Sequence, residues 1–311
     1  FRMVLDEVRK CAKNDLTSLM KTEPNISTGL AAIRTLLKAL KSSKATTVTE
    51  LNAELDAVVQ AMESTDYSST SIRSASDLFR RFISLAPAEL IDQPDFANIL
   101  KFYNQRGQLF IDRVARSREL ICKFSRAFFH NSMCILTHSY SKVVLNALRT
   151  IKQGGIDIEV FVTESQPDES GKRMYKELVE SDITSTLVLD SAVGYLMERM
   201  DAVVVGAEGV METGGIINKI GTLNMALCAK MMNKPLYVMA ESIKFVKEYP
   251  LNQTDIPEEF KYRTSVRQGK DLSHVHPEVD YTPPVYITLL FTDLGILTPA
   301  AVGEELIKLY T

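Results

Sequence analysis

The sequence predicts an α/β protein with an N-terminal helical domain over residues 1–130 and a doubly wound parallel sheet domain over residues 131–311. The first observation behind this prediction is the distribution of glycine: of 14 glycines, only Gly29 and Gly107 precede residue 150. Glycine is costly inside helices and useful in tight turns between strands and helices. The second observation is that short apolar runs alternate with helical stretches after residue 130, which is typical of a parallel sheet covered on both faces.

Helical periodicity marks the first part of the chain. Apolar residues recur at the spacing of a helix face at Leu30, Ile33, Leu36, Leu37 and Leu40, and again at Leu51, Leu55, Val58, Val59 and Met62. Ser27 and Thr49 are N-cap residue types, so we expect helices to begin directly after them. Pro87 and Pro94 interrupt the pattern before residues 96–130 resume it. These segments predict several packed helices.

Five short apolar runs follow His130 and predict the strands of the sheet. They are Met133–Leu136, Ile158–Val162, Thr186–Leu189, Ala202–Val205 and Leu236–Met239. Helices are predicted between them, over residues 141–151, 171–180, 194–200 and 216–231. Because a sheet of this kind binds its ligand at the carboxyl ends of the strands, the polar residues directly after each run are the candidates for a binding site.

Composition disfavours several function classes. The chain has 36 Lys+Arg against 39 Asp+Glu, and its pI near 5.9 falls short of the basic footprint of nucleic-acid-binding proteins. No apolar run approaches the roughly 18 residues of a membrane span. The 4 cysteines lie far apart without a C-x-x-C pair, which disfavours a zinc site and favours a reducing compartment. We therefore expect a cytosolic protein without a metal and without direct contact to nucleic acid or membrane.

Polar side chains follow the first predicted strand and precede a helix. They are Thr137, His138, Ser139, Tyr140 and Ser141. Their hydroxyl and backbone N–H groups are suited to bind a phosphate or another anion, and helix capping by Ser and Thr explains them equally well. A lone histidine such as His138 is more often structural than a base. A serine hydrolase is disfavoured because no G-x-S-x-G elbow surrounds Ser139.

A second polar segment follows the most apolar run. Glu208 lies where α/β enzymes place a general base, although a carboxylate bonded to nearby backbone amides is an equally good explanation. Asn218, Lys219 and Thr222 are predicted on the first turns of a helix, where Asn218 and Thr222 share a face and Lys219 reaches an anion. Neither G-x-G-x-x-G nor G-x-x-x-x-G-K-[ST] occurs, which disfavours NAD enzymes and nucleotide triphosphatases.

Charge divides the chain at the same place as the secondary-structure pattern. Residues 1–130 hold 19 basic and 15 acidic side chains, whereas residues 131–311 hold 17 and 24. The basic excess is concentrated in arginines, at Arg73, Arg80, Arg81, Arg106, Arg113, Arg116 and Arg118. Solvated helix faces are the simpler explanation. The alternative is a surface for an acidic or phosphorylated partner.

An ordered set of segments spans Ala31 to Tyr310 without a missing block. The segments are Ala31–Leu37 (AAIRTLL), Arg81–Leu85 (RFISL), Ile135–Ser141 (ILTHSYS), Val162–Pro167 (VTESQP), Val204–Val210 (VVGAEGV), Asn218–Thr222 (NKIGT), Pro250–Gln253 (PLNQ) and Leu289–Gly295 (LLFTDLG). Together they resemble one family, that of the alpha, beta and delta subunits of eukaryotic translation initiation factor 2B, and within it the alpha subunit.

This resemblance implies a Rossmann-like second domain and a regulatory function in translation initiation. Members of the family belong to the complex that exchanges GDP for GTP on initiation factor 2, and the gamma and epsilon subunits carry the exchange chemistry. The alpha subunit forms a homodimer that bridges the complex with the beta, gamma, delta and epsilon subunits, and it helps to sense the phosphorylated alpha subunit of initiation factor 2 in the stress response. We expect that contact at Thr46, Thr47, Arg73, Arg80 and Arg81.

The same fold family contains sugar-phosphate isomerases that look like T-H-C after the first strand and G-A-D after the fourth, with Cys and Asp as catalytic partners. The matching positions here are Ser139 and Glu208. A hydroxyl does not titrate as a thiol does, and a side chain misplaced by about 1 Å can cost on the order of 10²-fold. We therefore expect no catalytic residues and no enzyme activity, with a ribose-phosphate type aldose-ketose isomerase as the alternative.

The resemblance also implies that a ligand pocket is retained without turnover. No cofactor is required, and the expected occupants are a sugar phosphate, a nucleotide monophosphate, or phosphate or sulfate. The candidate pocket residues are Thr137, His138, Ser139, Tyr140, Ser141, Glu164, Gln166, Arg173, Glu208, Asn218, Lys219 and Thr222. The C-terminal stretch from Thr282 to Tyr310 is expected either to close the core or to form the dimer contact, since both uses bury the same apolar residues.

Overall fold

The computed structural model describes residues 2–23, 26–65, 67, 69–84, 96–256 and 277–310. These residues form two compact units, which divide between Ala115 and Arg116. The first unit is helical and the second combines helices with a mainly parallel sheet, so the predicted α/β class with an N-terminal helical region is confirmed. The predicted interruption at Pro87 and Pro94 lies outside the described residues.

The helical unit is built from α1 to α4 and the first part of α5. Their bounds are α1 Arg2–Thr22, α2 Thr28–Ser42, α3 Val48–Glu63, α4 Ser69–Ser84 and α5 Phe96–Ser125. Helices α1 to α4 pack against one another around fully buried side chains such as Ile33, Leu36 and Phe79. The apolar stripes predicted at helical spacing are the surfaces that meet in this core.

One helix start is confirmed and the other is wrong. Ser27 caps α2, where its hydroxyl accepts a hydrogen bond from the backbone N–H of Leu30. Helix α3 begins at Val48 rather than after Thr49, because Thr47 has the extended backbone of an N-cap and its hydroxyl accepts from the N–H of Glu50. Thr49 already lies within the helix.

The division between the units falls inside α5, before the change in sequence pattern at residue 130. Helix α5 ends at Ser125 and a short 3-10 turn, Arg126–Phe128, follows it. Ile121 and Cys122, near the end of α5, are buried in the core of the second unit together with Met133 and Ile135. The last turns of α5 therefore continue the helical sequence pattern of the first unit, but their side chains pack in the core of the second unit.

All five predicted strands are present in one seven-stranded sheet, which has the order β11-β10-β7-β4-β1-β2-β3. The strands are β1 Met133–His138, β2 Ile158–Thr163, β3 Thr184–Val188, β4 Ala202–Val205, β7 Leu236–Met239, β10 Leu289–Thr292 and β11 Gly295–Leu297. The pairs of β1 with β2 and β4 are parallel, as are those of β4 with β7 and β7 with β10, and only β11 runs antiparallel.

The strand order reverses at β1. From β1 the chain continues to β2 and β3 on one side, and then returns to β4 and β7 on the other side. The crevice outside the carboxyl ends of β1 and β4 is the place where doubly wound sheets bind ligands. The described helices of this unit are α6 Lys142–Gln153, α7 Ser170–Val179, the single turn α8 Val193–Leu196, α9 Thr222–Met231 and α10 Val302–Tyr310.

A second, four-stranded sheet was not predicted. Its order is β8-β5-β6-β9, with β5 Gly209–Met211, β6 Ile216–Lys219, β8 Phe245–Val246 and β9 Val279–Thr282. The helix predicted over residues 216–231 is therefore wrong in its first part, because Ile216 and Ile217 pair with β5 on one side and with β9 on the other. The helix begins only at Thr222, after Gly221 turns the chain at a φ of 104°.

The C-terminal stretch closes the core of the second unit. Strand β10 adds Leu290 and Phe291 to the sheet, and both are fully buried. The ring of Phe291 meets Phe128 and Tyr237 edge to face, at centroid distances of 4.9 and 5.4 Å. Among the described residues, no helix combines the length and apolarity that crossing a membrane requires.

Candidate functional site

His138 is the last residue of β1, and its side chain is buried and neutral. Its Nε2 lies 2.8 Å from the carbonyl oxygen of Ile220. Because a carbonyl oxygen only accepts hydrogen bonds, the proton resides on Nε2, and Nδ1 accepts from the Thr163 hydroxyl at 2.6 Å. Burial lowers the pKa of His138. Both ring nitrogens are thus hydrogen-bonded within the protein. The ring therefore has a structural role and is not a free base.

Two serines with left-handed backbone follow β1 and β2, Ser139 directly after β1 and Ser165 two residues after the end of β2. Ser139 has a φ of 65° and Ser165 a φ of 63°, a conformation that costs non-glycine residues energy and is frequent at functional sites. The N–H of Ser139 donates to Oγ of Ser165 at 2.7 Å, and Oγ of Ser139 lies 2.9 Å from Oγ of Ser170. The loops after β1 and β2 are therefore joined through hydroxyl groups.

Asp190 fixes the loop after β2 from the end of β3. Its Oδ1 accepts from the N–H of Ser165 at 2.8 Å, and its Oδ2 accepts from the N–H of Gln166 at 2.7 Å. The Gln166 side chain is exposed, and its Nε2 lies 3.4 Å from the partly buried Glu164 carboxylate. The predicted pair Glu164 and Gln166 therefore sits on a loop whose backbone is held in place by the third strand.

Tyr140 and Ser141 lie directly before α6 and make different contacts. The Ser141 hydroxyl accepts from the N–H of Val144 and so caps the helix. A Cβ on Gly206, at the end of β4, would lie 2.5 Å from that hydroxyl, so only glycine fits at this position. The Tyr140 ring is covered by the Arg173 guanidinium at 4.0 Å, and Arg173 also pairs with Glu177. Thr137, within β1, is buried.

Asn218, Lys219 and Thr222 come together around the turn that joins β6 to α9. Asn218 Nδ2 donates to the Thr222 hydroxyl at 3.1 Å, and that hydroxyl donates to the carbonyl of Lys219 at 2.6 Å. The predicted proximity of Asn218 and Thr222 is present, but it comes from a strand followed by a turn rather than from one helix face. All three residues are buried.

Lys219 forms an ion pair with Asp168, a residue that the sequence did not single out. Nζ of Lys219 lies 2.6 Å from Oδ2 of Asp168, and only 6% of the lysine side chain is exposed. Burial acts to raise the pKa of Asp168, but hydrogen bonds from Lys219 and Ser170 outweigh it, and the pKa lies below its usual value. Asp168, on the loop after β2, thus pairs with the buried ammonium group of Lys219.

Asp280 on β9 is a second acidic residue that sequence reasoning missed. Its Oδ2 accepts from the N–H groups of Gly221 and Leu223 at 2.8 and 3.1 Å. Its Oδ1 is buried and has no hydrogen-bond partner among the described residues. Burial raises the pKa of Asp280 to about 6, although the two backbone hydrogen bonds oppose that shift.

Asp280 shares one face of the small sheet with the predicted residue Asn218. Asn218 lies directly opposite Asp280 in the pairing of β6 with β9, and directly opposed residues of antiparallel strands project to the same side. Glu208 directly precedes β5 and donates its N–H to the carbonyl of Ile217, the residue before Asn218. Within the described parts of the chain, the Glu208 carboxylate has no hydrogen bond or ion pair.

The predicted residues do not all meet at one place. Thr137, His138, Ser139, Asn218, Lys219 and Thr222 lie around the carboxyl end of β1 and the turn after β6, whereas Arg173 is directed to Tyr140 and Glu177. No group of three or more His, Cys, Asp and Glu able to hold a metal ion occurs in the described ranges. The arrangement offers hydroxyl, amide and carboxylate groups and one buried ammonium group, which suits a polar anionic ligand.

The structure separates the residues expected to contact a phosphorylated partner. Thr47 caps the first turn of α3, and Thr46 donates to the Glu50 carboxylate. Arg73 pairs with Glu63 at the other end of the same helix, about 24 Å away at 1.5 Å per residue. Arg80 pairs with Asp56, in the middle of α3, and Nε of Arg81 is buried without a partner in the described part of the chain.

Comparison with known proteins gives consistent matches over most of the chain. The model of the Initiation factor 2 subunit family matches residues 21–299. The chain is 58% identical to the translation initiation factor eIF2B subunit alpha of Caenorhabditis elegans, over 94% of this chain and 95% of that protein. It is 39% identical to the subunit of the same name from Dictyostelium discoideum, over 94% of both chains.

An enzyme and solved structures also match. The ribose 1,5-bisphosphate isomerase of Thermococcus kodakarensis is 31% identical, over 87% of this chain and 85% of the enzyme. The crystal structure of eIF2B beta from Chaetomium thermophilum superposes with a TM-score of 0.76 at 16% identity, over 100% of this chain and 96% of that chain. A tetrameric eIF2B-beta2-delta2 complex from the same organism gives a TM-score of 0.76 over 99% of this chain and 98% of that chain.

Proposed function

Because the chain belongs to the initiation factor 2 subunit family, we propose that it is a non-catalytic regulatory subunit of translation initiation factor 2B, the complex that exchanges GDP for GTP on initiation factor 2. The observation that carries this proposal is the 58% identity to an eIF2B alpha subunit over 94% of the chain. The likeness to a chain from an eIF2B beta-delta complex supports association with other subunits. The protein then acts in the cytosol.

The chemistry of the β1 end supports a function without catalysis. The isomerase relatives are expected to use a thiol where this chain has Ser139. A serine hydroxyl needs an adjacent base to move a proton, and His138 is not available for that purpose because both its nitrogens are engaged. Ser139 Oγ meets only another hydroxyl, that of Ser170, among its hydrogen-bond partners in the described residues. Among the described residues, no carboxylate or imidazole is therefore hydrogen-bonded to the Ser139 hydroxyl.

The same residues support a retained ligand pocket. Lys219 presents an ammonium group, and Asn218, Glu208 and Thr222 present hydrogen-bonding groups on neighbouring segments at the strand switch point. A sugar phosphate or nucleotide monophosphate combines an anion with hydroxyl groups and so matches this set. The pocket binds such a ligand without converting it, and occupancy tunes assembly of the complex.

An apolar patch on the second unit supports a homodimer. We define it by Tyr195, Leu227, Met231 and Val285, which are 85%, 38%, 81% and 62% exposed. Leu227 and Met231 lie one turn apart on α9, which packs against both the α8 turn and the 3-10 turn Pro284–Tyr286. A contiguous exposed patch of large apolar side chains is typical of a protein interface, and a second copy of this chain covers the patch in the proposed dimer.

The contact with phosphorylated initiation factor 2 alpha is proposed at Arg73 and Arg80 of the helical unit. Their ion pairs with Glu63 and Asp56 lie at the protein surface, where such pairs contribute only about 0–1 kcal/mol. A phosphate group, which carries about two negative charges, is able to displace these carboxylates. Thr46 and Thr47, at the other end of α3, form a separate part of the proposed contact.

Assembly tests the proposal most simply. Light scattering of the purified chain is expected to give the mass of a dimer, and addition of the beta, gamma, delta and epsilon subunits is expected to give one larger complex. Tyr195→Glu combined with Met231→Glu places charges in the apolar patch and is expected to give a monomer. Tyr249→Glu, at another exposed aromatic residue, is the matched control and leaves the dimer intact. A chain that ignores the other subunits contradicts the proposed function.

Measurements of ligand binding and turnover distinguish a pocket that only binds its ligand from an isomerase active site. The 31% identity to an isomerase supports that second function. We expect titration calorimetry to show binding of ribose 5-phosphate, with a loss of tenfold or more in Lys219→Met and no change in the exposed-residue control Lys230→Met. No ketose product is expected by NMR. Ketose formation by the wild-type chain, lost in Glu208→Gln, would instead establish the isomerase.

The arginine contact is tested by charge reversal. Arg73→Glu combined with Arg80→Glu is expected to reduce the preference of the assembled complex for phosphorylated over unphosphorylated initiation factor 2 by about tenfold, since two charge-assisted contacts are lost. Arg9→Glu, which removes an exposed ion pair with Asp6, is the control. Surface-immobilised binding measures both affinities. An unchanged preference in the double variant would move the contact elsewhere.

A further inference from the structure

A single peptide unit lies between His138 and Asp280. The carbonyl of Ile220 accepts from Nε2 of His138, and the N–H of Gly221, on the same peptide bond, donates to Oδ2 of Asp280. The C=O and N–H of a trans peptide point in opposite directions, so the two side chains hold this peptide from opposite sides. Gly221 has a φ of 104°, and a Cβ on it would lie 3.2 Å from Cε1 and Nε2 of His138.

The peptide unit sits at the centre of the candidate pocket. Asn218 and Lys219 directly precede it, and Thr222 directly follows it. Asn218 reaches Thr222 through its amide, and Thr222 in turn holds the carbonyl of Lys219. Any displacement of the Ile220–Gly221 peptide therefore moves the amide and the ammonium group that a ligand would meet.

We propose that Asp280 is a positioning residue for this pocket: by holding the Ile220–Gly221 peptide against His138, it keeps Asn218, Lys219 and Thr222 in the arrangement that binds an anionic, hydroxyl-bearing ligand. The inference rests on the proposed ligand pocket. Asp280 also holds the N–H of Leu223 and so caps α9, which fixes the turn at a second point. Its position opposite Asn218 in the β6–β9 register brings it to the pocket from a distant part of the sequence.

The unpaired Oδ1 distinguishes Asp280 from an ordinary helix cap. This oxygen is buried without a partner in the described residues, so the ionised carboxylate is only half satisfied, and the pKa of Asp280 rises to about 6. Hydrogen bonds to a charged acceptor are about twice as strong as those to a neutral one. Protonation of Asp280 between pH 7.5 and 5.5 therefore loosens its hold on the peptide, and ligand affinity falls as the pH falls.

Other titratable groups lie near Asp280, and their contributions to the pH dependence must be distinguished from that of Asp280. His138 lies across the peptide and has a lowered pKa because of burial. Glu208 directly precedes β5, two strands away from Asp280, Lys219 is paired with Asp168, and Glu278 precedes β9. Burial raises the pKa of Asp280, and the hydrogen bonds from Leu223 and Gly221 act to lower it. A variant at Asp280 alone therefore isolates its contribution.

The experiment compares two variants of the protein at Asp280. Asp280→Asn keeps an oxygen that accepts from Gly221 and Leu223 but removes the charge, whereas Asp280→Ala removes the acceptor. Asp293→Ala is the matched control, because Asp293 likewise accepts from a backbone N–H and a hydroxyl, both of Ser242, outside the candidate pocket. Calorimetry with ribose 5-phosphate at pH 7.5 and 5.5 gives the affinities, and hydrogen exchange of residues 216–225 without ligand reports on the turn.

We expect Asp280→Ala to lose tenfold or more in affinity at pH 7.5 and to exchange faster over residues 216–225. Asp280→Asn, which keeps the acceptor without the charge, should lose about three- to tenfold at pH 7.5, less than Asp280→Ala. The wild type should weaken by about two- to threefold more than Asp280→Asn between pH 7.5 and 5.5, since protonation of the probe's phosphate is common to both. Asp293→Ala should behave as wild type.

The proposal is overturned if Asp280→Ala retains wild-type affinity and exchange, or if Asp280→Asn follows the same pH dependence as wild type. A wild-type chain that binds no probe refutes the pocket itself. In that case the exchange data alone still decide whether Asp280 holds the turn, so failure of the proposed function and failure of this inference are distinguishable.

Discussion

The hydrogen-bond chain from Thr163 through His138 and the Ile220–Gly221 peptide to Asp280 joins the two sheets of the second unit. Thr163 and His138 end strands of the seven-stranded sheet, whereas Asp280 belongs to the four-stranded sheet. In a buried setting each such bond polarises the next one, and removal of one member leaves its neighbours unsatisfied. The proposed ligand site, which includes Asn218 and Lys219 near the end of β1, depends on these hydrogen bonds.

The main sheet was predictable because its strands are buried on both faces. Burial of this kind requires continuous apolar runs, such as Ala202–Val205, that local sequence reveals. The small sheet was not predictable for two reasons. Its strands are only two to four residues long. In addition, a run such as Ile216-Ile217 fits a helix as well as a strand. The role of Asp280 was not predicted because its hydrogen-bond partner Gly221 lies 59 residues away in the sequence. Only the fold shows that the two residues meet.

The proposed function assigns ligand binding without catalysis to the candidate site. The thiol expected in the isomerases is replaced by Ser139, and the adjacent His138 is neutral and fully engaged. The buried Lys219 and the opposed pair Asn218 and Asp280 lie near the end of β1. In the proposed function these groups recognise a polar anion, and the apolar patch on the same unit serves assembly.

The regulatory claim is tested most directly by nucleotide exchange. Release of labelled GDP from initiation factor 2 would be followed with the complex of the other four subunits, with and without this chain, in the presence of phosphorylated initiation factor 2. The account predicts that phosphorylated factor inhibits exchange strongly only when this chain is present. Equal inhibition in its presence and absence would contradict a regulatory function for the chain.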